Sequence, residues 1–127
     1  MNATNLAVTG VTIALLIAVS IPDYIPAGFV IKNSAEVDVP RSWLPRLATL
    51  KLAGAAGLLI GLIGYDARHH AVSVATQAVW VVAGAGLVVF FLGAVIFHIR
   101  ARALHNIWFP TVFLLLAVSS LIASIAH

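Results

Sequence analysis

Lys51, His98, Arg102 and Glu36 are the side chains of this chain best placed by type and spacing to do chemistry. Lys51 sits about one turn inside an apolar run, among Leu, Ala and Gly. A lysine in hydrocarbon costs a few kcal/mol unless it snorkels to the headgroups or finds a partner, roughly 2.5–3.5 kcal/mol at a helix centre. Its candidate partners are the carboxylates Asp23, Glu36 and Asp38. His98 closes another apolar run, and an imidazole there would exchange protons near neutral pH. Arg102 follows His98 by four positions, so a continuous helix would place both on one face, with Arg100 turned toward headgroups. In a catalytic reading, Lys51 or Arg102 holds an oxyanion and His98 or Glu36 moves a proton. In a binding reading, Lys51, His98, Arg102, Arg100 and Asp23 surround a polar ligand head. The plainer reading makes Lys51 a snorkelling side chain and His98 a polar helix cap.

Other chemistries are excluded or disfavoured. The chain has no cysteine, which removes disulfides, thiolate metal sites and dithiol redox relays. His69 and His70 are adjacent beside Asp66 and Arg68, but neighbouring histidines on a loop do not face one site and no further ligands follow at metal spacing. No metal site is expected. No phosphate-binding loop, dinucleotide fingerprint, zincin motif or nucleophile elbow occurs, so no cofactor is expected either.

The elements that must position these residues are four apolar runs, at about 6–22, 47–64, 79–99 and 107–126. Each is near the length that crosses a bilayer core as a helix. Of the 127 residues, 62% are hydrophobic and 9% charged, against about a quarter charged in soluble domains. The expected fold is all-α: one integral membrane domain over residues 1–127, a bundle of four transmembrane helices. The first run lacks the positive leader of a signal peptide and reads as a retained helix. Between the first and second spans lies a long segment, 23–46, with an apolar patch from Ile25 to Ile31. That patch is too short to span, so the segment reads as a partly re-entrant or interfacial loop, closed by a turn between Pro40 and Pro45.

Charge gives an orientation. Lys32, Arg41, Arg46, Arg100 and Arg102 fall on the first and third loops, whereas the opposite side carries Arg68. The positive-inside rule then puts those two loops in the cytoplasm and both termini outside a cell membrane. Membrane lipids, rather than nucleic acid, are the expected partners of these cations. Tyr24, Trp43, Trp80 and Trp108 read as an interfacial aromatic belt. Gly57 and Gly61, extended by Ala53, form a small stripe on the second span. With Gly84, Gly86, Gly93 and Ala94 on the third, it predicts close packing of these two helices, within one bundle rather than between copies.

Three stretches carry a family resemblance. Pro40-Arg41-Ser42-Trp43-Leu44-Pro45, Lys51-Leu52-Ala53-Gly54-Ala55-Ala56-Gly57-Leu58 and Gly93 through His98 to Arg102 resemble the DoxX-like family of small four-helix membrane proteins. The resemblance implies a four-helix bundle, and Lys51, His98 and Arg100 match the family pattern. It also implies company: proteins bearing the DoxX name include a subunit of a thiosulfate:quinone oxidoreductase and a member of a mycobacterial membrane oxidoreductase complex.

Two functions follow as expectations. The first is a non-catalytic accessory or assembly subunit, with a membrane protein partner or a second copy and with its polar residues fully paired. The second is a membrane-embedded enzyme or quinone-linked component, with a cavity at the cytoplasmic end for a quinone or another apolar small molecule. A transporter is disfavoured, because the spans lack intramembrane acids and matching broken helices.

Overall fold

The computed structural model describes residues 3–25, 28–65 and 71–125. His69 and His70 lie outside the described residues. Among the described residues five α-helices follow in order: α1 (Ala3–Tyr24), α2 (Gly28–Glu36), α3 (Leu44–Gly64), α4 (Val74–Arg100) and α5 (Trp108–Ile125). Four of them, α1, α3, α4 and α5, are long and apolar enough to cross a membrane. They close into a ring in which α1 packs on α3 and α5, and α4 packs on α3 and α5. Chain direction alternates from span to span, so the α1–α3 and α4–α5 connections share one end of the bundle.

Each helix turns one stripe inward. On α3 the buried positions include Leu44, Ala48, Lys51, Ala55 and Leu58, spaced alternately by four and three. On α1 they are Thr9, Thr12, Ile13, Leu16, Ser20 and Asp23. Such spacing keeps side chains on one face. The centre is filled by Leu16, Leu58, Leu87, Phe91, Phe113 and Ala117. Phe91 and Phe113 stack with ring centroids 5.1 Å apart.

The α3–α4 seam is built from glycines against larger side chains. Gly54 faces Leu87, Gly57 faces Ala83, Gly61 faces the Trp80 ring and Gly64 faces Thr76. The expected close approach of these helices is therefore present, although α4 supplies the knobs rather than a second glycine stripe. Gly84 instead abuts the backbone of α5 at Leu121, and Gly86 has nothing within 4 Å of where a Cβ would stand. Trp80 is a correction. It was expected in the aromatic belt, yet it is wholly buried, whereas Tyr24, Trp43 and Trp108 are exposed. The reason is the start of α4, five residues before the apolar run. Ser73 caps it, its Oγ accepting from Thr76 N–H at 3.1 Å, and this carries Trp80 inside the bundle.

The α1–α5 seam is polar. Ser120 Oγ donates to Thr12 Oγ1 at 3.2 Å across it, while Thr12 Oγ1 donates to the Val8 carbonyl at 2.7 Å. Hydroxyls that return a proton to their own helix backbone are satisfied without water, as lipid requires.

The segment between α1 and α3, expected as a partly re-entrant or interfacial loop, is largely helical. It holds α2 and a 3-10 turn, Arg41–Trp43, and α2 makes its main contact with that turn. α2 and α4 both end in the same way. Val39 N–H reaches the Ser34 carbonyl at 2.8 Å and Asp38 N–H the Ala35 carbonyl at 3.2 Å. At α4, Ala103 N–H reaches His98 at 2.9 Å and Arg102 N–H reaches Ile99 at 3.1 Å. These are Schellman closures, and the residue at the left-handed position is Asp38 (φ 59°) in one and Arg102 (φ 55°) in the other. A left-handed side chain costs about 1–2 kcal/mol that glycine avoids. Arg102→Gly is therefore expected to raise stability by about 0.5–1 kcal/mol, and Asp38→Gly by less, because aspartate tolerates this region better. Thermal unfolding in detergent measures both. A loss of stability in Arg102→Gly would mean that its side chain holds a structural contact.

Candidate functional site

α1 continues through Pro22 for two more residues. Proline lacks an N–H, so the carbonyl of Ala18, four residues back, has no helical donor from position 22, a small disturbance near a helix end. The continuation keeps Asp23 on the stripe that runs inward from Thr9, and there it meets Lys51. Lys51 Nζ donates to Asp23 Oδ2 in a buried ion pair. Of the three carboxylates open to Lys51 by sequence, the fold selects Asp23. Beside the pair, the Tyr24 hydroxyl and Thr49 Oγ1 lie 2.6 Å apart, and Thr49 Oγ1 is 2.9 Å from the Pro45 carbonyl. Two polar ties therefore pin the end of α1 to the first turns of α3.

Glu36 belongs to a different cluster. Its Oε2 lies 3.2 Å from His105 Nε2 and accepts from Asn106 Nδ2 at 3.3 Å. Asn106 Nδ2 also reaches Asn33 Oδ1 at 3.3 Å. His105 and Asn106 occupy the 3-10 turn Leu104–Asn106 between α4 and α5. This cluster fastens α2, on the first connection, to the second connection at the same end of the bundle.

His98 is half-buried, with Nδ1 2.8 Å from the carbonyl of Ala94, one turn back on its own helix. A carbonyl can only accept, so Nδ1 is the donor in this bond. Arg100 is exposed in the last turn of α4. The shared face expected for His98 and Arg102 does not form, because α4 ends at Arg100 and the chain reverses through the left-handed Arg102. The sequence candidates thus gather at one end of the bundle but divide there into separate groups. Asp23 with Lys51 is one, Glu36 with Asn106 and His105 is another, and His98 is bonded to its own backbone.

Sequence reasoning missed Asn33, Thr49, His105 and Asn106 as members of these clusters. Their partners lie 25 to 73 positions away or in a turn, and no periodicity links such pairs.

Two concavities adjoin these elements. A recess of about 380 Å³ at the α1–α3 corner is lined by Asp23, Tyr24, Arg41, Ser42, Leu44 and Pro45. An apolar groove of about 640 Å³ runs along the outer α3–α4 face past Ala53, Val79, Val82, Gly86 and Phe90.

The model of the DoxX-like family matches residues 7–120 of the chain. A comparison with curated proteins found no match. A comparison with solved structures found none.

Proposed function

We propose, from the premise that the chain belongs to the DoxX-like family, that it is a non-catalytic accessory or assembly subunit of a membrane complex. The observation that carries this reading is how the polar side chains are used. Lys51 and Asp23 are bonded to each other, Glu36 is bonded to Asn106 and His105, and His98 Nδ1 is bonded to Ala94. These bonds fasten one helix or connection to the next. A residue working on a substrate needs its donor or acceptor directed at that substrate, whereas these groups spend theirs on the scaffold. In the orientation given by the basic residues, the pinned end faces the cytoplasm of a cell membrane. The broad apolar exterior suits burial against a larger membrane protein.

The quinone-linked alternative keeps one supporting observation, the recess that opens beside Asp23 and Tyr24. Purification in mild detergent followed by mass spectrometry separates the two readings. The subunit reading expects a membrane protein at a fixed ratio near one per chain or per pair of chains. A quinone retained at about one per chain, with no protein partner, would overturn it.

A further inference from the structure

Among the described residues, the cations at the pinned end are not balanced by carboxylates. Lys32, Arg41, Arg46, Arg100 and Arg102 form no ion pair among the described residues. The carboxylates there are either engaged, as Asp23 is with Lys51 and Glu36 with His105, or exposed, as Asp38 is. Of these five cations, Arg41 is the one that lines the recess at the α1–α3 corner.

The recess has the make-up of a headgroup site. Pro40 enters the 3-10 turn extended, at φ −60° and ψ 140°, and the Leu44 N–H closes that turn on the Arg41 carbonyl. Arg41 therefore stands on a short, closed turn rather than a free loop. Tyr24 forms one wall, and its hydroxyl is occupied by Thr49. Leu44 and Pro45 give an apolar wall, and Ser42 adds a hydroxyl. Asp23 also lines the recess, but it is paired with Lys51, so Arg41 is the one lining residue whose charge has no ion-pair partner among the described residues. Tyr24, 44% exposed at the end of α1, lines the recess, and Trp43, 41% exposed, sits in the adjoining 3-10 turn; aromatic residues at helix ends mark headgroup depth.

We infer that this recess binds the phosphate of one anionic phospholipid from the adjoining leaflet. Arg41 presents its planar fork to two phosphate oxygens, Ser42 donates a further hydrogen bond, and the Leu44–Pro45 wall takes the glycerol and the first acyl carbons. A guanidinium fork matches a phosphodiester in a way an ammonium does not. The ligand chemistry is a phosphate oxyanion, and the apolar wall assigns it to a lipid rather than to free phosphate. The inference stands apart from the subunit reading, since a lipid can be held with or without a protein partner.

Native mass spectrometry of delipidated protein in mild detergent tests it, with phosphatidylglycerol as the titrant. One retained phosphatidylglycerol per chain is expected. Arg41→Gln should weaken that retention by about tenfold, the scale of one lost charge-assisted contact. Arg41→Lys should fall between, and Lys32→Gln, at an exposed cation of the same bundle end outside the recess, should leave retention unchanged. Equal retention by wild type and Arg41→Gln would overturn the site. Equal retention of phosphatidylcholine would overturn the anionic selectivity. Displacement of the lipid by millimolar inorganic phosphate would overturn the lipid as the source of the oxyanion. A wild-type melting temperature in Arg41→Gln excludes misfolding as the cause of any loss.

Discussion

Asp23→Asn should lower the stability of the bundle by about 3 kcal/mol, because it leaves the Lys51 ammonium buried without a counter-charge. Lys51 and its partner are both nearly enclosed, with side chains 11% and 10% exposed. At that depth water cannot replace the lost carboxylate at low cost, and an isolated charge inside a protein is expensive. Lys51→Met should cost a similar amount by stranding Asp23. The double replacement Asp23→Leu with Lys51→Met removes both charges and fills the space with carbon. It should recover stability to within about 1 kcal/mol of the natural chain, since buried pairs often trade evenly against well-packed apolar residues. Thermal or denaturant unfolding of the four proteins gives the coupling directly. Losses that simply add would show that the two side chains do not depend on each other.

The same cycle bears on function. If the pair serves only to pin α1 to α3, the double variant should assemble with its partner as the natural chain does. If the pair acts on a substrate, the double variant should be folded and inactive. Stability and assembly recovered together support the scaffold role. Recovery of stability alone supports the quinone-linked alternative.

Much of this arrangement was legible in the residues. Four apolar runs fixed the spans, since no other regular element satisfies its backbone alone within lipid. The depth of Lys51, one turn inside an apolar run, was also readable, but whether it snorkels or pairs was settled only when α3 set it on the buried stripe with Leu44, Ala48, Ala55 and Leu58. Its choice of Asp23 over Glu36 and Asp38 was not readable. It depends on α1 running through Pro22, a residue that ordinarily signals a stop. Arg102 misled for the opposite reason. The turn after α4 uses the left-handed conformation without the glycine that normally announces it, so the helix seemed free to continue. Trp80 misled because Thr76 and Gln77 dilute the apolar signal at the start of α4. A hydropathy boundary then falls short of the Ser73 cap that sets the true helix start. In each case a local capping or proline effect outweighed the longer-range hydropathy pattern. The clusters around Glu36 join the first connection to the second, and only the closed bundle brings those segments together.

Gly61→Ala should produce the other large loss, about 1–3 kcal/mol, through overpacking rather than charge. A Cβ at Gly61 would stand within the Trp80 indole. The indole cannot yield easily, because Trp80 is fully enclosed and belongs to the central cluster with Leu58 and Leu87. Helices in lipid associate through close backbone approach, so a displaced indole pushes α4 away from α3 and loosens the contacts at Gly57 and Gly64 as well. The same chemical change at Gly86 should be neutral or stabilise by up to about 1 kcal/mol. Nothing lies within 4 Å there, and alanine is the better helix former. Trp80→Ala should cost about 3–5 kcal/mol by opening a cavity. Adding Gly61→Ala to that variant should then cost little or even regain stability, since the new methyl enters the vacated space. Unfolding in mixed detergent, followed by helical circular dichroism, measures all four. Equal losses at Gly61 and Gly86 would show that alanine acts on helix propensity alone and that the Gly61–Trp80 contact does not order the seam.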